Sequence, residues 1–228
     1  MNAQKSQIRH IAMMSLLVLV SVSTADAGEI LQVDSVRDPA LRDELLARAE
    51  KDQKARQAGI DWGAEHGVNG FVDVDSLTSE ERAAHDGLWA EVARIDVDNT
   101  AWLKDIVTKQ GWVNYSDVGI DGGDAAWLMV QHADADPSFQ RQCLDLMTEL
   151  PRDEVSLESV AYLTDRVLIK EGKKQIYGTQ FVVRDGEWVP AELDDVENVD
   201  VRRAELGLPP LVDYKAMLEA VMRGEEIE

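Results

Sequence analysis

Apolar residues recur along most of this chain at intervals of three and four, the spacing that lines one face of a helix. Leu41, Leu45, Leu46 and Ala49 follow Asp38-Pro39, a capping residue and a proline suited to the first helical position, and predict a helix that runs until Gly59. Glycines and aspartates interrupt the period over residues 60–76, which reads as a loop. Thr78 and Glu81 then have the spacing of a capping box ahead of Leu88, Trp89, Val92 and Ile95, the second helix. Asp98 or Asn99 would cap a third, which carries Trp102, Leu103, Ile106 and Val107 and closes at Gly111. A fourth is expected from Ala125 to about Ala133, after Gly122-Gly123-Asp124, and a fifth from Asp136-Pro137 through Leu150. A sixth begins at Ser156, turns Val160, Leu163, Val167 and Leu168 inward, and ends before Gly172.

The period then shortens to two. Residues 175–184 and 187–189 read as short strands joined by Asp185-Gly186, which supplies the positive backbone angles of a two-residue hairpin. An acidic stretch over 192–200, a short helix over 207–210, a last helix from Leu211 to about Arg223 and a solvated acidic tail complete the chain. The expected fold is mainly α: a single domain of about seven helices with one small β-hairpin.

The amino terminus changes the picture of where this domain works. Lys5 and Arg9, an apolar run over residues 11–20 and the small-x-small site Ala25-Asp26-Ala27 have the three parts of a secretory signal, so residues 1–27 are expected to be removed and 28–228 to form the domain. A helix of that run rises only about 15 Å, half a hydrocarbon core, which argues against a retained anchor. The product is expected to be periplasmic or secreted. Without Lys5, Arg9 and Asp26 the remaining 201 residues hold 21 basic and 43 acidic side chains, a formal charge of −22. Such a field disfavours nucleic acid and anionic membranes, and steers cationic ligands or basic proteins inward. Cys143 is the single cysteine, so no disulfide can form within the chain; on an apolar helical face it reads as a buried, inert thiol.

Candidate chemistry gathers at WLMVQHADADP, residues 127–137, where an apolar helix runs into Gln131, His132 and Asp134. At a helix C-terminus with Asp134 and Asp136 nearby, His132 is expected to have a raised pKa and to suit a general acid or binding cation. Asp136 with Pro137 has the plainer task of capping the next helix. Asp165 and Arg166 are neighbours on the sixth helix, point about 100 degrees apart and each need a separate partner. Arg166 could hold a ligand carboxylate or phosphate, or pair with a structural aspartate. On a strand, Gln175, Tyr177 and Thr179 would share one face and Gln180 the other. No HExxH, paired CxxC, calcium loop, phosphate loop or nucleophile elbow is present. Neither a metal nor a cofactor is therefore expected; the one combination left open for a metal is His132 with Asp134 and a carboxylate remote in sequence.

Asp52-Gln53-x-x-Arg56, Gly111-Trp112, Gln131-His132-Ala133-Asp134 with Phe139-Gln140, 161–166 (AYLTDR), 175–180 (QIYGTQ) and Val199-Asp200-x-Arg202-Arg203 with Gly207-Leu208 together resemble an uncharacterised bacterial domain-of-unknown-function family. The resemblance covers about Leu41 to Tyr214 and departs at Val113, where members often carry proline. It implies no activity, but its motif positions are disproportionately polar, which points to a shared pocket or a buried hydrogen-bond network. The reading that follows is an exported protein with a polar cleft. His132, Asp165 and Tyr177 are its catalytic candidates, and Gln131, Asp134, Arg166, Gln175, Thr179 and Gln180 its ligand-binding candidates. As an enzyme it would be a metal-independent hydrolase or lyase using acid-base catalysis; as a binding module it would take a small polar or zwitterionic ligand. The rival is an acidic envelope protein that binds a basic protein partner, with the polar motifs serving structure alone.

Overall fold

The computed structural model describes residues 36–67, 74–184 and 187–222. The expected signal segment, the Asp185-Gly186 turn and the acidic tail lie outside them. The described residues form α1 (Pro39–Glu65), α2 (Ser79–Gln110), α3 (Tyr115–Gln131), α4 (Pro137–Thr148), α5 (Leu157–Lys170), β1 (Phe181–Arg184), β2 (Glu187–Pro190), α6 (Val199–Glu205) and α7 (Leu211–Met222). Single 3-10 turns stand at Val74–Ser76 and Val196–Asn198. The fold is mainly α with one antiparallel hairpin, as the periodicity predicts.

The helix starts follow from their caps. Asp38 accepts the Leu41 N–H at 2.9 Å, Asp136 that of Phe139 at 3.0 Å and Ser156 that of Ser159 at 3.1 Å. The Thr78–Glu81 capping box closes in both directions, at 3.3 and 2.8 Å. Each satisfies a donor that the first turn leaves without a partner.

Five elements differ from expectation, four of them for a tertiary reason. First, α1 passes through Gly59 because that residue is buried where a Cβ would come within 3.4 Å of the Trp89 indole, so it serves close helix packing instead of a stop. Second, α2 runs unbroken for 32 residues. Asp98 and Asn99 do not cap; Arg48 Nη1 donates to them at 2.9 and 3.2 Å and ties α2 to α1. Third, α3 begins at Tyr115, ten residues ahead of Ala125, with a non-helical Gly119 (φ 78°) inside it. Gly123 then continues the helix because a Cβ there would lie 2.6 Å from the Tyr115 ring. Fourth, residues 175–180 are not a strand; only Gln175 makes an isolated bridge, to Leu193, and β1 begins at Phe181. The short helix near residues 207–210 lies earlier, as α6, and Gly207 (φ 76°) follows its end.

Leu45, Leu103, Val118, Met129, Val130, Phe139, Cys143, Met147 and Leu163 form one core shared by α1 to α5. Burying each large apolar side chain contributes about 1.5–3 kcal/mol. Burial also pushes the Cys143 thiol far above its ordinary pKa, which leaves it inert. An aromatic ladder links this core to the C-terminal elements: Trp127 to Tyr162 at 6.2 Å, Tyr162 to Tyr214 at 5.9 Å and Tyr214 to Phe181 at 5.8 Å between ring centroids, all edge-on. No described helix is long and apolar enough to cross a membrane.

Candidate functional site

The polar motif residues do not converge on one cleft. They divide into two buried networks, and the neighbours Asp165 and Arg166 belong to different ones.

The first network is centred on Asp165, which is fully buried on α5. Its Oδ1 accepts the backbone N–H groups of Ile176 (2.7 Å) and Tyr177 (3.0 Å), and its Oδ2 accepts the N–H (2.9 Å) and hydroxyl (3.0 Å) of Thr179. Burial raises the carboxyl's pKa, and these donors oppose the shift. Gln175 extends the network: its amide donates to the carbonyls of Gln180 and Ala191, both at 2.9 Å, and its Oε1 accepts the Gln180 N–H at 2.9 Å. The Gln180 amide donates to the Thr179 hydroxyl at 3.1 Å. Arg203, also fully buried, donates to the carbonyls of Tyr177 (2.7 Å) and Pro209 (2.6 Å) and lies over the Tyr214 ring. The 175–180 segment is thus a turn wrapped around one carboxylate, and for this reason it cannot be a strand. The Asp165 and Gln175 side chains hold the chain's own backbone, the Thr179 and Gln180 side chains brace them, and the half-buried Tyr177 joins through its backbone.

The second network surrounds His132, the residue that caps the C-terminus of α3. His132 is 5% exposed and Asp52, on α1, only 1%. The imidazole Nδ1 lies 3.1 Å from Asp52 Oδ2. Arg56, one turn beyond Asp52, places its Nε 3.2 Å from the same carboxylate and 3.1 Å from His132 Nδ1. Its Nη2 donates to Asp96 of α2. Gln53 donates to Asp52 Oδ2 at 2.8 Å. The cluster grades outward: the Arg56 and Asp96 side chains are 17% and 22% exposed, so they stand between solvent and the buried pair.

The raised pKa expected of His132 is reversed. Burial lowers it first, and the charges of Arg56 and Arg166 lower it further, against the hydrogen bond with Asp52. The two aspartates expected to favour the imidazolium are engaged elsewhere. Asp134 binds Arg166 Nη1 at 2.9 Å and Lys170 at 3.5 Å, and Asp136 binds Lys104 at 2.5 Å besides capping α4. Burial alone would raise the Asp52 pKa, but the hydrogen bond with His132 and the charge of Arg56 outweigh it and hold the carboxyl below the usual range. Asp96 goes the other way, to about 6, through burial and the nearby Asp52 charge. The arrangement suits an ionised carboxylate, held by Arg56 and Gln53, beside an imidazole whose charged form burial disfavours. Since the carboxylate is the strongest acceptor present, Nδ1 carries the ring proton and donates it there. Nε2 is buried and makes no hydrogen bond among the described residues.

Of the candidates read from sequence, His132, Asp134 and Arg166 meet at this end of the molecule, with Arg166 in the structural pairing that its acidic surroundings favour. Gln131 is buried beside them, its carbonyl and that of Val130 accepting from the Gln140 amide at 3.3 and 3.0 Å. Asp52 and Arg56 were visible as a motif with the i, i+4 spacing of a helical ion pair, yet were not placed at a site. Asp96 carried no local signal at all. Comparison with curated proteins and with solved structures finds no match for the chain. The chain belongs to a family of unknown function, DUF6624, whose family model matches residues 39–224.

Proposed function

We propose that this is an exported protein whose working centre is the cluster of Asp52, Arg56, Asp96 and His132, where a small polar molecule is bound and subjected to hydrolysis or lysis. His132 and Asp52 are the reacting groups. Arg56 and Asp96 form the mouth, and the Arg166–Asp134 pair buttresses the imidazole from α5. The observation that carries this reading is the His132 ring: one nitrogen is oriented by an ionised carboxylate, and the other is buried without a hydrogen-bond partner. A nitrogen so placed is a poor contribution to stability and a suitable one for abstracting or delivering a proton. The Asp165 knot supplies the rigid support that such a centre needs. Export rests on the leader pattern, and a mature chain beginning at Gly28 is its direct signature.

Carbethoxylation with diethylpyrocarbonate, mapped by peptide mass spectrometry, tests whether the centre can be reached. The mature chain holds three histidines, His66, His85 and His132, so the first two serve as internal references. His132 should react in the native protein, and faster after Arg56→Ala, which removes a side chain at the mouth. If His132 stays inert until the chain unfolds while His66 and His85 react, the cluster is a sealed structural network and the rival reading, a surface for basic partners, takes its place.

A further inference from the structure

We propose that Asp52, Asp96 and His132 are the protein ligands of a first-row divalent cation, and that the Arg56 guanidinium occupies the cation's seat until the ion displaces it. This rests on the cluster being the reachable centre described above, and it names what that centre takes. The three side chains come from α1, α2 and the end of α3, and each offers one ligand atom within 4.8 Å of the others. Ligand atoms around a tetrahedral zinc with bonds of 2.0–2.1 Å stand about 3.3 Å apart, so modest rotamer changes would complete the site. One imidazole and two carboxylates suit Zn2+ or Mn2+ and exclude a soft, thiolate-type ion.

The seat already holds a cation. Arg56 touches all three candidate ligands, by Nε to Asp52 at 3.2 Å and to His132 at 3.1 Å, and by Nη2 to Asp96. The fit is imperfect at His132. Its Nδ1 lies 3.1 Å from both a carboxylate acceptor and a guanidinium donor, and one nitrogen cannot serve both at once. Whichever tautomer forms, Nε2 is left buried without a partner. A metal ion removes the conflict at Nδ1, because it accepts the lone pair that faces the carboxylates and neutralises both of them; the ring proton then sits on Nε2, and with the ion bound His132 and Asp52 serve as ligands instead of as the proton-transfer pair. Gln53, donating to Asp52 Oδ2 at 2.8 Å, would orient the ligand carboxylate from behind. Arg56 has a way out: its side chain reaches the surface, and its Nη1 makes no hydrogen bond among the described residues. Three protein ligands leave coordination positions open for a substrate, the arrangement of a catalytic rather than a structural ion.

Calorimetric titration of the chelator-treated mature chain with Zn2+, and separately with Mn2+, at about 150 mM salt to screen the acidic surface, tests this. The expected result is one tight equivalent for at least one of the two ions. His132→Ala and Asp96→Asn should each weaken it at least tenfold, and Arg56→Met should tighten it about tenfold by removing the competing cation. Circular dichroism confirms that each variant is folded; should His132→Ala fail to fold, Asp96→Asn at the partly exposed mouth carries the test. Absence of a one-equivalent site for both ions in wild type and Arg56→Met alike, or a site indifferent to both ligand substitutions, overturns the metal assignment. If His132 still reacts with diethylpyrocarbonate in that case, the working centre stands without its ion; if His132 is inert as well, both readings fall.

Discussion

The two buried polar networks are built from similar parts and end in opposite states. Around Asp165 both carboxylate oxygens are engaged, by three backbone N–H groups and a hydroxyl, and Gln175 uses both ends of its amide on neighbouring backbone. Around Asp52 an imidazole, a guanidinium and a second carboxylate crowd one another, and a ring nitrogen is left over. A carboxylate whose acceptors are all engaged fixes a turn, although Arg203 Nη2 at the edge of that network makes no hydrogen bond among the described residues; a cluster with a ring nitrogen left over at its centre stores polar capacity for something else. Burial and charge alone do not separate them, since Asp165 and Asp52 are equally inaccessible. What differs is the balance of donors and acceptors.

The largest way to break this comparison is Asp165→Ala, which leaves three N–H groups and a hydroxyl in the interior without their acceptor. Unsatisfied buried groups cost about 1–3 kcal/mol each, so a loss of about 4 kcal/mol or more in urea denaturation is expected, with the C-terminal elements affected first. A loss below about 1 kcal/mol would show that the knot is not what fixes the 175–180 turn. Gly178→Ala strikes the same turn through its backbone. Gly178 has φ 73°, and a Cβ there would sit 2.9 Å from Leu211, so about 2 kcal/mol should be lost. Wild-type stability in that variant would mean that the turn can rearrange.

Asp136→Ala gives the smallest effect, about 1 kcal/mol for a lost helix cap. Its folded pKa is depressed to about 2 by Lys104, Ser138 and the Phe139 N–H. The stabilisation is therefore fully present above the unfolded value near 3.9 and disappears as the pH falls towards 2. The difference in stability between wild type and Asp136→Ala should shrink over that interval; a constant difference would remove the electrostatic part of the explanation.

Local chemistry made much of this legible in the sequence. The caps at Asp38, Thr78, Asp136 and Ser156 and the helix over α5 follow from residue types and spacing that act within a turn or two. Asp98 and Asn99 misled because they have the side chains of caps, and only the approach of Arg48 from α1 shows that they bridge helices instead. The alternation over 175–180 misled for a similar reason, since Asp165, ten residues or more away, claims its N–H groups. At the site, His132 was visible as a histidine at a helix end, but the sign of its pKa shift was not. The helix end and the aspartates are near in sequence, whereas the burial and the two arginines that decide the outcome are near only in space. Asp96 was hidden by abundance, one carboxylate among 44 acidic residues.

The contrast between the networks is tested most directly by thermal denaturation of two near-isosteric variants, His132→Leu and Asp165→Asn, measured side by side. His132→Leu removes an unsatisfied buried nitrogen together with one donor to Asp52, which keeps Arg56 and Gln53, so its melting temperature should fall by less than about 3 °C. Asp165→Asn turns an acceptor into a donor opposite backbone N–H groups and should lower the melting temperature by roughly 5–10 °C, as a loss of 2–3 kcal/mol does in a domain of this size. If both variants fall by the same amount, the His132 cluster holds the fold together as the Asp165 knot does, and the distinction between a working centre and its support is wrong.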